Sequence, residues 1–323
     1  MTKYHEKSEA SEVAEGELGK GGLEGKIAIV TGSTNGIGVE TARALANHGA
    51  LVIIAGRSAE RAQNTADEIN KEIAAKGGSG KAEPAVLELS DLASVRKFTA
   101  DFKAKHSRLD FLINNAGIMA VPQRELTKDG FEAQFGTNHI GHFVLTNELV
   151  PLLVASAPAR VVCLSSIGHR RSGIVWDDIS LEKNYDRWVS YGQSKTSNIL
   201  FARELNRQLQ SAGVSAFSVH PGGIMTGLQV HMPKEEFEAY GWVRPDGTLH
   251  PSFKTVSQGA STSIYAALAR ELEGKGGSYL EDCHVSETQP PERNNEADAK
   301  RLWQVTNQLV GTSYQWEGVK GAL

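Results

Sequence analysis

The sequence predicts a doubly wound α/β fold, a parallel sheet with helices on both faces. Two observations carry this reading. The strand-like runs of the first half are continuously apolar rather than alternating, as strands buried on both faces are. Long stretches of helical character separate them, and such spacing calls for right-handed crossovers between parallel neighbours.

The fold begins at Lys26. Residues 27–30 form the first strand, 37–48 a helix, 51–55 the second strand and 58–75 a polar helix. Residues 85–89 read as the third strand, 92–105 as a helix and 111–113 as the fourth strand. Later strands fall at 160–164, 215–219 and around 278–280, with long helices over 131–154 and 190–210.

With 323 residues, 40% of them hydrophobic and 22% charged, the chain can bury one large core. That core belongs to a single domain over residues 25–290. Residues 1–24, rich in Glu, Ser, Ala, Lys and Gly, carry little to bury and read as a flexible or docked arm. Residues 291–323 form an extension packed on the domain. A net charge of -4 without a dense Lys/Arg run argues against nucleic acid as the main partner and for a small molecule.

Cys163 and Cys283 form neither a CxxC pair nor a disulfide framework, so a reducing compartment is expected. No leader-like apolar segment opens the chain, and no apolar run reaches the roughly 18 residues of a membrane span. A soluble, cytoplasmic protein is the expectation. No histidine sits in a metal-binding pattern, and His139 and His142 read as core or interface packing, so no metal is expected.

After the first strand comes Thr31-Gly32-Ser33-Thr34-Asn35-Gly36-Ile37-Gly38, leading directly into a helix. Glycines there permit a tight turn and a close approach of backbone to a pyrophosphate at the helix N-terminus. Gly56-Arg57-Ser58 closes the second strand, where an NAD enzyme usually carries an acid for the ribose. Arg57 can hold a 2′-phosphate in a forked contact, or it can face solvent while Ser58 caps the next helix. Glu88-Leu89 and Asn114-Asn115-Ala116-Gly117 close the next two strands and face the same crevice; for the Asn pair, turn chemistry is the alternative.

Ser166 stands at the end of the fifth strand, and Tyr191 follows 25 residues later, four before Lys195 on one helix face. A phenol beside an ammonium can move a proton near neutral pH. No G-x-S-x-G elbow surrounds Ser166, which sets aside a hydrolase. Two stretches without motifs, 170–189 with Trp176, Tyr185 and Trp188, and 227–253 with Met232, Phe237, Tyr240 and Trp242, read as substrate loops or as loops sealed by their own aromatics.

The glycine turn, Asn114-Asn115-Ala116-Gly117, Asn138, Ser166, Tyr191-x-x-x-Lys195 and Pro221-Gly222-x-x-x-Thr226 resemble, in order and place, the short-chain dehydrogenases/reductases. The resemblance runs from about residue 24 to 285. The long Ser166–Tyr191 interval, the Phe131-to-Phe143 motif and Gly277-x-Tyr279-x-x-Asp282-Cys283 are similar to the branch of retinol dehydrogenases, WW-domain oxidoreductases and protochlorophyllide reductase. Retinol dehydrogenases usually carry a membrane anchor with no counterpart in this sequence.

This resemblance implies a single-domain Rossmann-type fold with extended substrate loops and an oxidoreductase that uses NADP (NADPH) on a lipophilic ketone or aldehyde. Tyr191 would be the general acid, Lys195 would lower its pKa and hold the nicotinamide ribose, and Ser166 would hold the substrate oxygen. Asn138, at a helix distortion, would keep a water linking Lys195 to solvent. Gly32, Ser33, Asn35, Gly36, Ile37 and Gly38 would cradle the phosphates. Arg57, Glu88, Leu89, Asn114, Ala116 and Gly117 would line the adenosine half, and Pro221, Gly222, Ile224 and Thr226 the nicotinamide. A homodimer through the helices at 131–154 and 190–210 is a further implication. An NAD-dependent alcohol dehydrogenase and a non-catalytic dinucleotide sensor are the competing readings.

Overall fold

A computed structural model describes residues 3–19, 22–288 and 290–319. Eight strands form one sheet in the order β3-β2-β1-β4-β5-β6-β7-β8. They are β1 (Ile27–Thr31), β2 (Leu51–Gly56), β3 (Lys81–Val86), β4 (Phe111–Asn114), β5 (Ala159–Leu164), β6 (Val214–His220), β7 (Tyr279–Glu281) and β8 (His284–Ser286). All pairings are parallel except the β7–β8 hairpin. The strand order reverses between β1 and β4, which opens a crevice at the carboxyl ends of these strands.

Helices α2 (Ile37–Asn47), α3 (Ala59–Ala75) and α4 (Leu92–Lys105) follow the first three strands. Ser58 and Asp91 accept backbone N–H groups at the starts of α3 and α4, which fixes both entry points. The central strands are buried almost throughout, and one apolar cluster lies on each side of the sheet. This is the doubly wound architecture that the apolar runs predict.

Three details differ from the sequence expectation. The third strand lies at Lys81–Val86, not 85–89, because its mixed residues, including Pro84, suit an exposed edge rather than the buried interior. Leu87, Glu88 and Leu89 therefore belong to the following loop. The helix expected at 131–154 is composite, with α5 (Ala133–Phe135), a π turn at Gly136–Ile140 and α6 (Gly141–Ala155). Asn138 sits in that π turn, at the distortion the resemblance implied.

The third difference is the N-terminal arm. Its residues 10–18 form α1 (Ala10–Leu18), which packs on α9 (Val256–Leu268), and Tyr4, Val13 and Ala14 are buried there. Of the two readings, flexible or docked, the described part takes the docked one, because small residues and one tyrosine suffice for a close helix–helix contact. Residues 1, 2, 20 and 21 of the arm lie outside the described residues.

The C-terminal segment carries α10 (Glu296–Leu309), which packs on α7 (Arg187–Leu209). Trp303 packs edge-on to Phe143 at 5.0 Å and stacks on Phe201 at 5.8 Å, while the indole of Trp316 donates to Asn147. The extension thus covers part of α6 and α7, the helices through which a homodimer is expected. Residues 320–323 of that extension lie outside the described part.

Candidate active site

A cavity of about 1490 Å³ occupies the crevice at the strand ends. Its far wall is the turn between β1 and α2. Gly32 and Gly36 have φ of 66° and 58°, in the left-handed region open to glycine, and Gly38 has no room for a side chain: a Cβ would lie 2.6 Å from the Gly32 carbonyl oxygen. Backbone therefore forms the surface beside the first turn of α2, a cradle suited to a phosphate. Gly32, Asn35, Gly36, Ile37 and Gly38 line the cavity, and Thr34, which the sequence reading passed over, joins them.

Ser33 does not line it. Its hydroxyl donates to the Val30 carbonyl at 2.7 Å and it is fully buried, so it closes the turn from behind. Asn114 is likewise displaced from its expected role. As the last residue of β4 it points into the core and donates to Thr146 at 2.9 Å, while Asn115 faces the cavity and donates to the Thr31 carbonyl at 2.7 Å. The period-two alternation of a strand decides which asparagine faces out.

Arg57, Glu88, Leu89 and Ala116 line the cavity, as does Gly117, where a Cβ would lie 3.4 Å from Lys195 Nζ, and Arg61 from α3 adds a second guanidinium that the sequence alone did not single out. Arg57 is exposed, and its Nε lies 4.0 Å from Glu88 Oε2. Glu88 also accepts from the amide and hydroxyl of Ser90, so its carboxylate has partners within its own loop.

At the other end, Ser166, Tyr191 and Lys195 come together from β5 and α7. Ser166 accepts from the Gly168 amide at 3.0 Å, and its hydroxyl stands near enough to the Tyr191 phenol to lower its pKa. Lys195 Nζ donates to the Leu164 carbonyl at 3.1 Å and stands 5.6 Å from the centre of the Tyr191 ring. Burial pushes the Tyr191 phenol up to about 12, with the Ser166 hydrogen bond pulling the other way. Burial also pushes the Lys195 ammonium down to about 8. In the protein alone, burial is the larger of the two influences on the phenol.

Asn138 does not reach the cavity wall. Its side chain accepts from the Ile118 amide at 2.8 Å, donates to the Ile118 carbonyl at 2.9 Å and donates to Ser194 at 3.0 Å. Its own carbonyl, freed by the π turn, faces His142 Nδ1 at 3.0 Å, so that nitrogen carries the proton. His142 Nε2 then accepts from the Thr31 hydroxyl at 2.8 Å, and Thr31 Oγ1 accepts the amides of Asn115 and Ala116. This chain ties the glycine turn to the Asn138 turn, a link that the His139/His142 spacing alone did not reveal.

Pro221, Gly222, Ile224 and Thr226 line the cavity, with Thr226 close to the glycine turn, where a Cβ on Gly36 would lie 3.3 Å from Thr226 Cβ. Trp188, Tyr240, Trp242 and Phe253 close its mouth, with Trp188 edge-on to Tyr240 at 5.7 Å. Met232 and Phe237 pack behind them, whereas Trp176 and Tyr185 lie off the cavity, Trp176 against Arg301 and Tyr185 donating to the Val121 carbonyl. Among the described residues no group of acidic, His or Cys side chains could hold a metal ion.

Against known families, the short chain dehydrogenase family matches residues 26–236. The chain belongs to the short-chain dehydrogenases. It is 41% identical to human retinol dehydrogenase 12 over 295 residues, covering 91% of this chain and 89% of that protein. A short-chain dehydrogenase/reductase of Penicillium rubens is 36% identical over 305 residues, covering 90% and 86%. Among solved structures, a Mycobacterium paratuberculosis protein superposes with a TM-score of 0.69 at 34% identity, over 90% of this chain and 96% of that one. The NADP active-site complex of RhlG from Pseudomonas aeruginosa superposes with a TM-score of 0.61 at 25% identity, over 80% and 95%. This short-chain dehydrogenase is therefore a retinol-dehydrogenase-like oxidoreductase, and among its described residues no helix is long and apolar enough to cross a membrane.

Proposed function

We propose that this oxidoreductase is an NADPH-dependent reductase of a lipophilic ketone or aldehyde, working in the cytoplasm. The observation that carries the cofactor choice is the pair Arg57 and Arg61 at the adenosine end of the cavity, with no acid on the last residues of β2. The glycine cradle supports a dinucleotide, and neighbours of the same fold have been solved with NADP.

A bound NADPH supplies the hydride; the protein supplies orientation and a proton. Ser166 holds the carbonyl oxygen, and the Tyr191 phenol delivers its proton to that oxygen as negative charge develops. Lys195 stabilises the phenolate left behind. Asn138 positions the 117–118 loop and Ser194. The aromatic mouth of Trp188, Tyr240 and Trp242 supports an apolar, ring-containing substrate.

Equilibrium binding of NADPH and NADH, followed by a panel of ketones, quinones and aldehydes with each, tests the proposal. NADPH should bind at least about tenfold more tightly, a preference of about 1.4 kcal/mol, and Arg57→Ala should erase most of it. Equal binding of the two, or turnover by Tyr191→Phe as fast as the parent, would refute it.

A further inference from the structure

The segment Gly277-x-Tyr279-x-x-Asp282-Cys283 takes no part in the proton chemistry, yet it ends in the cavity. Asp282 and Cys283 form the two-residue turn between β7 and β8, and both have left-handed φ, 50° and 58°. Such a hairpin turn normally takes Asn and Gly, and two other residues there are held only against a conformational cost. What holds them is visible. Cys283 is buried, with its amide donating to the Thr262 hydroxyl of α9 at 3.3 Å.

Asp282, so turned, meets Lys254. Its carboxylate lies 2.5 Å from Lys254 Nζ, and the lysine is nearly fully buried at 4% side-chain exposure. A buried ammonium needs such a partner, since burying it unpaired costs several kcal/mol. Lys254 is also tied to the loop after β6: its amide donates to the Gly223 carbonyl at 2.8 Å. Its aliphatic stem runs directly beneath Gly222, where a Cβ would lie 2.7 Å from Lys254 Cε. Gly222 itself has φ of 96°. Backbone and lysine stem are thus in contact with nothing between them.

We propose that Lys254 is a positioning residue: pinned by Asp282, its stem is the floor on which the Pro221–Thr226 loop rests. The proposal builds on the dinucleotide reading of the cavity. The ion pair sets the height of that loop, and through it the placement of the nicotinamide half of the cofactor, while leaving the adenosine half untouched. The strained turn serves to aim the Asp282 carboxylate at the lysine.

The test is equilibrium binding of NADPH and of ADP-ribose, which lacks the nicotinamide, to the full chain and to Lys254→Ala, Lys254→Arg and Asp282→Asn. Lys254→Ala and Asp282→Asn should weaken NADPH by about tenfold while ADP-ribose stays within about twofold, and Lys254→Arg should recover part of the loss. Retained ADP-ribose binding shows that the variants are folded. Equal losses for both ligands, or an unchanged NADPH affinity, overturn the proposal. A parent protein that binds neither ligand overturns the dinucleotide reading and this proposal with it.

Discussion

Lys195 stands over the ring of Tyr191, 5.6 Å from its centre, and gives its hydrogen bond to the Leu164 carbonyl rather than to the phenol oxygen. Lys195 binds its proton at about 8 in the folded protein against an ordinary 10.5. Between those values the unfolded chain carries the extra proton, so folding gains stability as pH rises through the window and loses that contribution as pH falls through 8. Across the window the gain is on the order of 3 kcal/mol. Lys195→Met should flatten this part of the stability curve, measured by urea midpoints from pH 8 to 10, and should lower carbonyl reduction by about a hundredfold or more. A variant with the parent's pH slope would show that Lys195 is not desolvated.

Three histidines act on the acid side. Burial holds His139 near 3, His142 near 4 and His220 near 3, against an ordinary 6.5. Their depressed values mean that the unfolded chain binds these protons first, so stability is intact above 6.5 and falls as pH drops. His139 lies among Phe135, Phe143 and Phe201, and only its Nε2 has a partner, Thr306. His139→Leu should remove one proton's worth of acid sensitivity, about 1.4 kcal/mol per pH unit, between pH 6 and 4. Denaturant midpoints at stepped pH measure it, and an unchanged slope would mean that His139 is charged in the native state.

The docked arm makes a prediction about stability far from the cavity. Tyr4 is 3% exposed, its ring packs edge-on to Tyr265 at 6.2 Å, and its hydroxyl donates to Glu17 at 2.9 Å. Tyr4→Ala should cost about 3 kcal/mol by analogy with large-to-small core changes. A loss below about 0.5 kcal/mol in urea unfolding would mean that the arm is detached in solution.

The fold was legible because the apolar runs of β1, β2, β4, β5 and β6 are buried on both faces and leave no ambiguity of period. β3 was misplaced because an edge strand needs no such run. The chemical residues were readable from spacing, but which neighbour faces the cavity was not: Asn114 and Asn115 differ only by the alternation of one strand end. Residues brought in from afar left no local signal. Lys254 meets Asp282 only because the sheet places β7 beside β6, whereas Arg61 stands just four residues from Arg57, across the start of α3.

Gly168 offers the sharpest test of how closely the site is fitted. It follows Ser166 in a short 3-10 turn, and a Cβ there would lie 2.7 Å from Tyr191 Cε1 and 2.9 Å from Cδ1. The aromatic ring is buried in a cluster with Met119, Ala120 and Met232, which limits how far it can recede. Gly168→Ala should tilt the phenol away from Ser166 and misplace its proton. Displacements of about 1 Å at a reacting group can cost about a hundredfold in rate. Carbonyl reduction should therefore fall by that order, while NADPH affinity stays within about twofold, because the glycine cradle at the far wall is untouched. Parallel steady-state and binding measurements decide it: full activity would mean that the ring has slack, and a matching loss of NADPH affinity would mean that the turn at 167–171 supports the cofactor as well as the phenol.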